Sequence, residues 1–246
     1  MNSPQQNHDF KALSPQHFII PFFLVLLLWF VKYAEFKTGS NWTHLGVFPG
    51  KVEGLIGVLT APAIHADLLH LTNNSFPLLI LGTIIYYFYG NLLFRVVIGS
   101  WLISGLVVWF IGRPAYHIGF SGVVYAMASF VFISGLIRRH RQLIALSFVV
   151  VFMYGSLVWG LFPIEESMSW ESHLSGATAG LLLALVYRKM GPTRKVYEWE
   201  QEPDYMEIEV DYEEVQAESQ PPEQPQVRYI YTPKKETDPG EESVSK

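Results

Sequence analysis

Six runs of apolar residues, separated by short polar stretches, fill most of the chain up to residue 190. A hydrocarbon layer about 30 Å thick takes about 20 mostly apolar residues to cross as a helix. The runs are Leu13–Ala34 (with an uncharged centre over Phe18–Val31), Leu68–Tyr89, Leu92–Ile111, Ile118–Ile137, Leu143–Phe162 and the shorter Ser172–Tyr187. Runs two to five are apolar on every face, unlike the surface helices of a soluble domain. The pattern predicts an all-α, six-helix polytopic membrane domain over residues 13–190, after a short N-terminus of residues 1–12. Only Lys11 is basic ahead of the first run, and Lys32-Tyr33 follows it. Those flanks fit a retained span, not a cleaved leader.

Between runs one and two, roughly Glu35–Ile64, the chain is long, and Leu45–Leu59 mixes apolar residues with Gly and Pro. This reads as a segment lying in the outer interface. Asn41-Trp42-Thr43 fits a glycosylation acceptor, but only in a eukaryotic secretory setting.

Charge divides the chain. Residues 1–190 carry 11 Lys+Arg against 7 Asp+Glu, and residues 191–246 carry 6 against 15, within an overall net charge of −5. The second part is rich in Glu, Pro, Gln and Ser and cannot bury enough apolar surface to offset chain entropy. Residues 191–246 are therefore expected to be an acidic, disordered cytoplasmic tail, in which Glu207–Tyr212 alternates like a strand that forms on a partner. Lys and Arg concentrate in cytoplasmic loops. Arg138-Arg139-His140-Arg141 after run four, and Arg188, Lys189, Arg194 and Lys195 after run six, place both termini inside. With no cysteine in the chain, disulfides, thiolate metal sites and a thiol nucleophile are excluded.

Polar residues within spans are costly and tend to be functional. They collect at the outer ends of the even-numbered runs: His65, Asp67, His70, Asn73, Asn74 and Ser75 at the second, Gly119-Phe120-Ser121-Gly122 at the fourth, and Glu171, Ser172, His173 and Ser175 at the sixth. At about 1.5 Å per residue, Asn74, Ser121 and His173 all stand roughly 21–24 Å above the cytoplasmic ends of their helices. A hydroxyl becomes a competent nucleophile beside an imidazole. Glu171 is two residues from His173 and faces elsewhere on the helix, so a Ser–His dyad is favoured over a triad. An oxyanion needs preorganised donors. The Ser121 N–H at a helix N-terminus supplies one, and Asn74 and His70, four residues apart, present side chains on one face.

These residues resemble the rhomboid family of intramembrane serine proteases. The matching marks are His65-x4-His70-x3-Asn74, Gly119-Phe120-Ser121-Gly122 and His173-x2-Gly176-x3-Gly180, on runs two, four and six in that order. The resemblance covers about residues 13–190 and implies the six-span core form. It implies Ser121 as nucleophile, His173 as general base and then acid, and Asn74 and His70 as oxyanion ligands. It further implies Tyr125 packed on the His173 ring and Gly119 permitting a strained loop. Gly176 and Gly180 would let the sixth span approach the fourth closely. A Trp-Arg pair that many relatives carry in the first outer loop is missing here.

On this reading the partners are the lipid bilayer and single-span membrane proteins cleaved near the outer face, in what resembles a bacterial plasma membrane. Substrate entry near run five and the Pro163–Trp170 loop is implied by the resemblance alone. No cofactor or nucleic acid is expected. His65, Asp67 and His70 cluster, but the His-Glu-x-x-His pattern of helical zinc proteases is missing, so no metal is expected either. His65 reads as a structural tie for the first loop, His117 as a loop residue, and Arg95 as snorkelling to the cytoplasmic interface. The rival class is a rhomboid-like protein that binds transmembrane segments without cutting them. A transporter is disfavoured, because the deeper parts of runs two, four and six carry no ionisable residue up to their cytoplasmic ends.

Overall fold

The computed structural model describes residues 13–139, 141–153, 156–164 and 168–192, all within a compact unit over residues 1–197. Outside the described residues lie the N-terminus 1–12, His140 of the basic loop, Glu165, Glu166, and the acidic tail from residue 193 with its Glu207–Tyr212 alternation.

Eight α-helices occur among the described residues: α1 Gln16–Thr38, the single turn α2 Gly57–Thr60, α3 Leu68–Tyr89, α4 Leu92–Ile111, α5 Ser121–Arg138, α6 Arg141–Met153, α7 Ser156–Trp159 and α8 Trp170–Val186. No β-strand occurs among them beyond one isolated antiparallel bridge, Val47 to His117. Four helices, α1, α3, α4 and α5, are long and apolar enough to cross a membrane. Their outward faces, such as Phe22, Phe23 and Phe30 on α1, are apolar and exposed, as a lipid-facing surface is.

The boundaries follow local chemistry. Asp67 caps α3 by accepting the His70 N–H at 2.7 Å. Helix α1 begins three residues later than the apolar run and ends four residues later, at Thr38, followed by Gly39, whose φ of 61° closes the helix in the left-handed conformation. It passes Glu35 because that carboxylate pairs with Lys32 at 2.7 Å and accepts the Trp42 N–H at 2.9 Å. The fifth apolar run is helical over α6 and α7, with residues 154 and 155 between them outside the described residues, and its helix ends at Trp159, where the chain turns at Gly160. Hydropathy alone carries the run on to Phe162, because the turn is set by what Gly160 touches.

Helix α5 is central, packing on α3, α4, α6 and α8, most extensively on α8. The α5–α8 contact is backbone on backbone: a Cβ on Gly176 would overlap the Gly122 carbonyl, and one on Gly180 the Ala126 carbonyl. At the far end Arg138 bonds the carbonyls of Tyr187 (3.0 Å), Met190 and Pro192 (3.4 Å), gripping the C-terminal end of α8 where orphan carbonyls collect. Arg95 points to the same region, 4.0 Å from the Met190 sulfur.

The segment between α1 and α3 folds as short 3₁₀ turns and α2 against α4. Trp101 Nε1–H donates to the Val58 carbonyl at 3.0 Å and Trp109 Nε1–H to that of Lys51 at 2.8 Å. Val47, Val58 and Ala61 are buried there with Val108. Much of this segment is thus core for α4, while Val52, Ile56 and Leu59 stay exposed, as an interfacial surface requires.

Candidate active site

Ser121 is the first residue of α5, and the chain reaches it through a constrained loop. Gly119 has φ of 107°, a conformation that L side chains rarely adopt. Its N–H donates to the Ala61 carbonyl at 2.9 Å, and the Phe120 N–H donates to His65 Nε2 at 3.4 Å. Glycine is needed there for space as well. A Cβ would stand 2.6 Å from His70 Nε2 and 3.7 Å from Asn74 Nδ2. The His70 ring and the Asn74 amide therefore converge on the loop two residues ahead of Ser121. Asn74 is buried and its amide donates to the His70 carbonyl at 3.2 Å, which fixes its orientation.

His173 sits in the first turn of α8, buried, with both ring nitrogens engaged. Nδ1 lies 2.9 Å from the Gly160 carbonyl oxygen and Nε2 lies 2.9 Å from Ser121 Oγ. A carbonyl only accepts, so Nδ1 carries the ring proton. In the neutral ring Nε2 is then the acceptor and receives the Ser121 hydroxyl proton. The Tyr125 ring, one turn along α5 from Ser121, stacks on the imidazole at 4.2 Å with 9° between planes. Gly160 closes the arrangement, since a Cβ there would collide with Tyr125 Oη and stand 3.0 Å from His173 Nδ1. A hydroxyl, an acceptor nitrogen, and a carbonyl that sets the tautomer are the parts that general-base activation requires.

Sequence reasoning missed Gly160, because its contribution is a backbone oxygen. Its one visible signal is a glycine interrupting an apolar run. His117 lies in the loop between α4 and α5, as expected, and it is 3% exposed there, with ring nitrogens against Ser169 Oγ and the Arg113 carbonyl. Glu171, set apart from the dyad on helical phase, is buried with Oε1 3.7 Å from Arg113 Nε. No group of three or more His, Cys, Asp or Glu placed to hold a metal ion occurs among the described residues. Behind the Ile118–Gly122 loop a cavity of about 30 Å³, bordered by Ser104, His117 and Ser172, is large enough for water.

His65 ties the loop before α3 to the entry of α5 through the Phe120 N–H, and its rim position makes it a pH probe of the fold. Burial, aided by the nearby His70 ring, pushes its pKa from 6.5 to about 4. Between those values the unfolded chain binds a proton that the folded one does not, so stability falls as pH drops from 6.5 towards 4. The expected loss is about 3 kcal/mol. Thermal unfolding in detergent at stepped pH should show that decline, and a weaker one in His65→Gln. Equal slopes in the two proteins would remove His65 as the cause.

Comparisons with known proteins agree on the kinship. The Rhomboid domain family model matches residues 52–190. An uncharacterized protein of Mycobacterium tuberculosis is 35% identical over 180 residues, covering 70% of this chain and 74% of its own. One of Mycobacterium leprae is 32% identical over 179 residues, 69% and 70% of the two chains. The rhomboid protease GlpG of Haemophilus influenzae is 30% identical over 132 residues, 52% of this chain and 67% of its own. With the domain match spanning more than half of a chain built from apolar, membrane-length helices, this multi-pass membrane protein belongs to the rhomboid family.

Proposed function

We propose that this chain is an intramembrane serine endopeptidase that cuts transmembrane-segment substrates near the outer membrane face with a Ser121–His173 dyad. The observation that carries the reading is the 2.9 Å contact from Ser121 Oγ to the acceptor nitrogen of a histidine whose other nitrogen is held by a carbonyl. Ser121 Oγ attacks the scissile carbonyl carbon as its proton passes to His173 Nε2. The imidazolium so formed is favoured by the Gly160 carbonyl and by the π face of Tyr125. It then gives the proton to the leaving amine, and water, activated by the same nitrogen, cleaves the acyl-enzyme. The Ser121 N–H, Asn74 and His70 are the donors for the oxyanion.

In this reading α6 with α7 forms the fifth span and α8 the sixth, although α6 has 13 residues and α8 has 17. Residues 13–190 are the membrane domain, with residues 1–12 and the acidic tail 191–246 cytoplasmic by the distribution of Lys and Arg. A bacterial plasma membrane is the setting, in keeping with the bacterial sources of the relatives. A protease needs an extended backbone, so a substrate span with a helix breaker near the cut should be cleaved faster than a helix-stabilised version. Equal rates would count against this.

A fluorophosphonate probe tests the reading without a known substrate. The detergent-solubilised wild type should be labelled, and Ser121→Ala and His173→Ala should not. No labelling of a folded wild type, or labelling that survives in Ser121→Ala, would favour a rhomboid-like protein that binds transmembrane segments without cutting them.

A further inference from the structure

We propose that His117 is a positioning residue for His173, latching the loop that enters α5 to the N-terminal end of α8 through Ser169. The inference rests on the Ser121–His173 reading above.

His117 lies four residues before Ser121 and is almost wholly buried, at 3% exposure. Its backbone is held by a two-bond bridge with Val47, at 3.0 and 2.9 Å. Its Nε2 is 3.1 Å from the Arg113 carbonyl, which only accepts, so that nitrogen carries the proton. Nδ1 is then an acceptor, 2.5 Å from Ser169 Oγ. Burial holds the His117 pKa below the ordinary histidine value, which keeps the ring in this neutral form.

Ser169 is the N-cap of α8. Its Oγ accepts the Ser172 N–H at 3.3 Å and lies 2.7 Å from Ser172 Oγ, and its carbonyl receives the His173 N–H at 3.3 Å. The residue gripped by His117 therefore bonds directly to the backbone of His173. A second tie runs alongside, from Arg113 Nη2 to the Met168 carbonyl at 2.8 Å.

The α5–α8 contact explains why a latch is needed. Gly176 on Gly122 and Gly180 on Ala126 bring the backbones close, but a face of glycine and alanine has few knobs to resist sliding or rotation. Polar bonds at the helix end set the axial register that the smooth face leaves free. The dyad distance depends on that register.

Fluorophosphonate kinetics on the full chain separate the maximal labelling rate from probe affinity. His117→Phe keeps a ring and loses both side-chain bonds, and Ser169→Ala removes the partner oxygen. Each should lower the maximal rate roughly ten- to a hundredfold, with probe affinity unchanged and the protein folded. His117→Asn, whose Oδ1 sits where Nδ1 did, should recover most of the rate. The double variant should label no more slowly than the slower single one. Wild-type rates in Ser169→Ala and in folded His117→Phe, or multiplicative losses in the double variant, would overturn the latch alone. An unlabelled wild type would overturn the dyad and the latch with it.

Discussion

Ser121→Ala and His173→Ala, reconstituted in liposomes with a single-span substrate, are each expected to lose about a thousandfold or more of the cleavage rate. The double variant should lose no more than either single one. The reason is the geometry of one proton. Ser121 Oγ lies 2.9 Å from the His173 Nε2 acceptor, and that acceptor is oriented because Gly160 holds the opposite nitrogen. Removing the base leaves a hydroxyl that must lose its proton to water while it attacks, and general-base help is worth about 10²–10⁴ in rate. Removing the hydroxyl leaves the base with no nucleophile to serve. Groups that act as a unit are non-additive, so losses that multiplied in the double variant would show that the two side chains work independently. The measurement is the initial rate of product appearance at fixed protein-to-lipid ratio, with thermal unfolding showing that each variant is folded.

Gly176→Val is expected to abolish activity without touching either dyad residue, and Gly176→Ala to be milder. The Gly176 position rests on the Gly122 carbonyl, one residue past Ser121, and a Cβ there would overlap that oxygen. A backbone carbonyl cannot turn aside as a side chain can. Helices α5 and α8 must separate, and valine adds two methyl groups to the wedge. A displacement of about 1 Å costs on the order of 10²-fold in a rate that depends on a near-attack geometry. The same wedge removes close backbone contacts along the pair, so the unfolding temperature should fall as well. Gly180→Val presses on the Ala126 carbonyl one turn further and should behave alike. Wild-type activity in Gly176→Val would mean that the two helices do not approach as this packing requires.

Parts of this architecture are legible in the linear pattern. Leu68–Tyr89 and Leu92–Ile111 stand out as apolar runs, and α3 and α4 take those same bounds, because Asp67 caps one and glycines follow both. The run at Leu143–Phe162 is equally apolar, yet its helix stops at Trp159 and the chain turns at Gly160. Periodicity reports which residues tolerate lipid. It does not report that Gly160 must leave helical geometry to offer its carbonyl to His173. The burial of His117 is hidden from the pattern for a related reason: its place in a loop is legible, and only the fold reveals the Val47 bridge and the Ser169 hydroxyl that bury it.

The sequence by itself determined that the chain is helical and membrane-embedded, that its costly polar residues gather at one end of three apolar runs, and that their order resembles that of the rhomboid family. Those properties are local or additive: transfer energy, helical rise, and motif spacing. The tertiary structure alone decided that Ser121 Oγ meets His173 Nε2 across 52 positions of chain, that the Gly160 carbonyl holds the other ring nitrogen, and that Tyr125 covers the ring. Each of these depends on the rotation and axial register of α5 against α8. Hydropathy is indifferent to both, because a glycine face buries equally well over a range of them until hydrogen bonds at the helix ends select one.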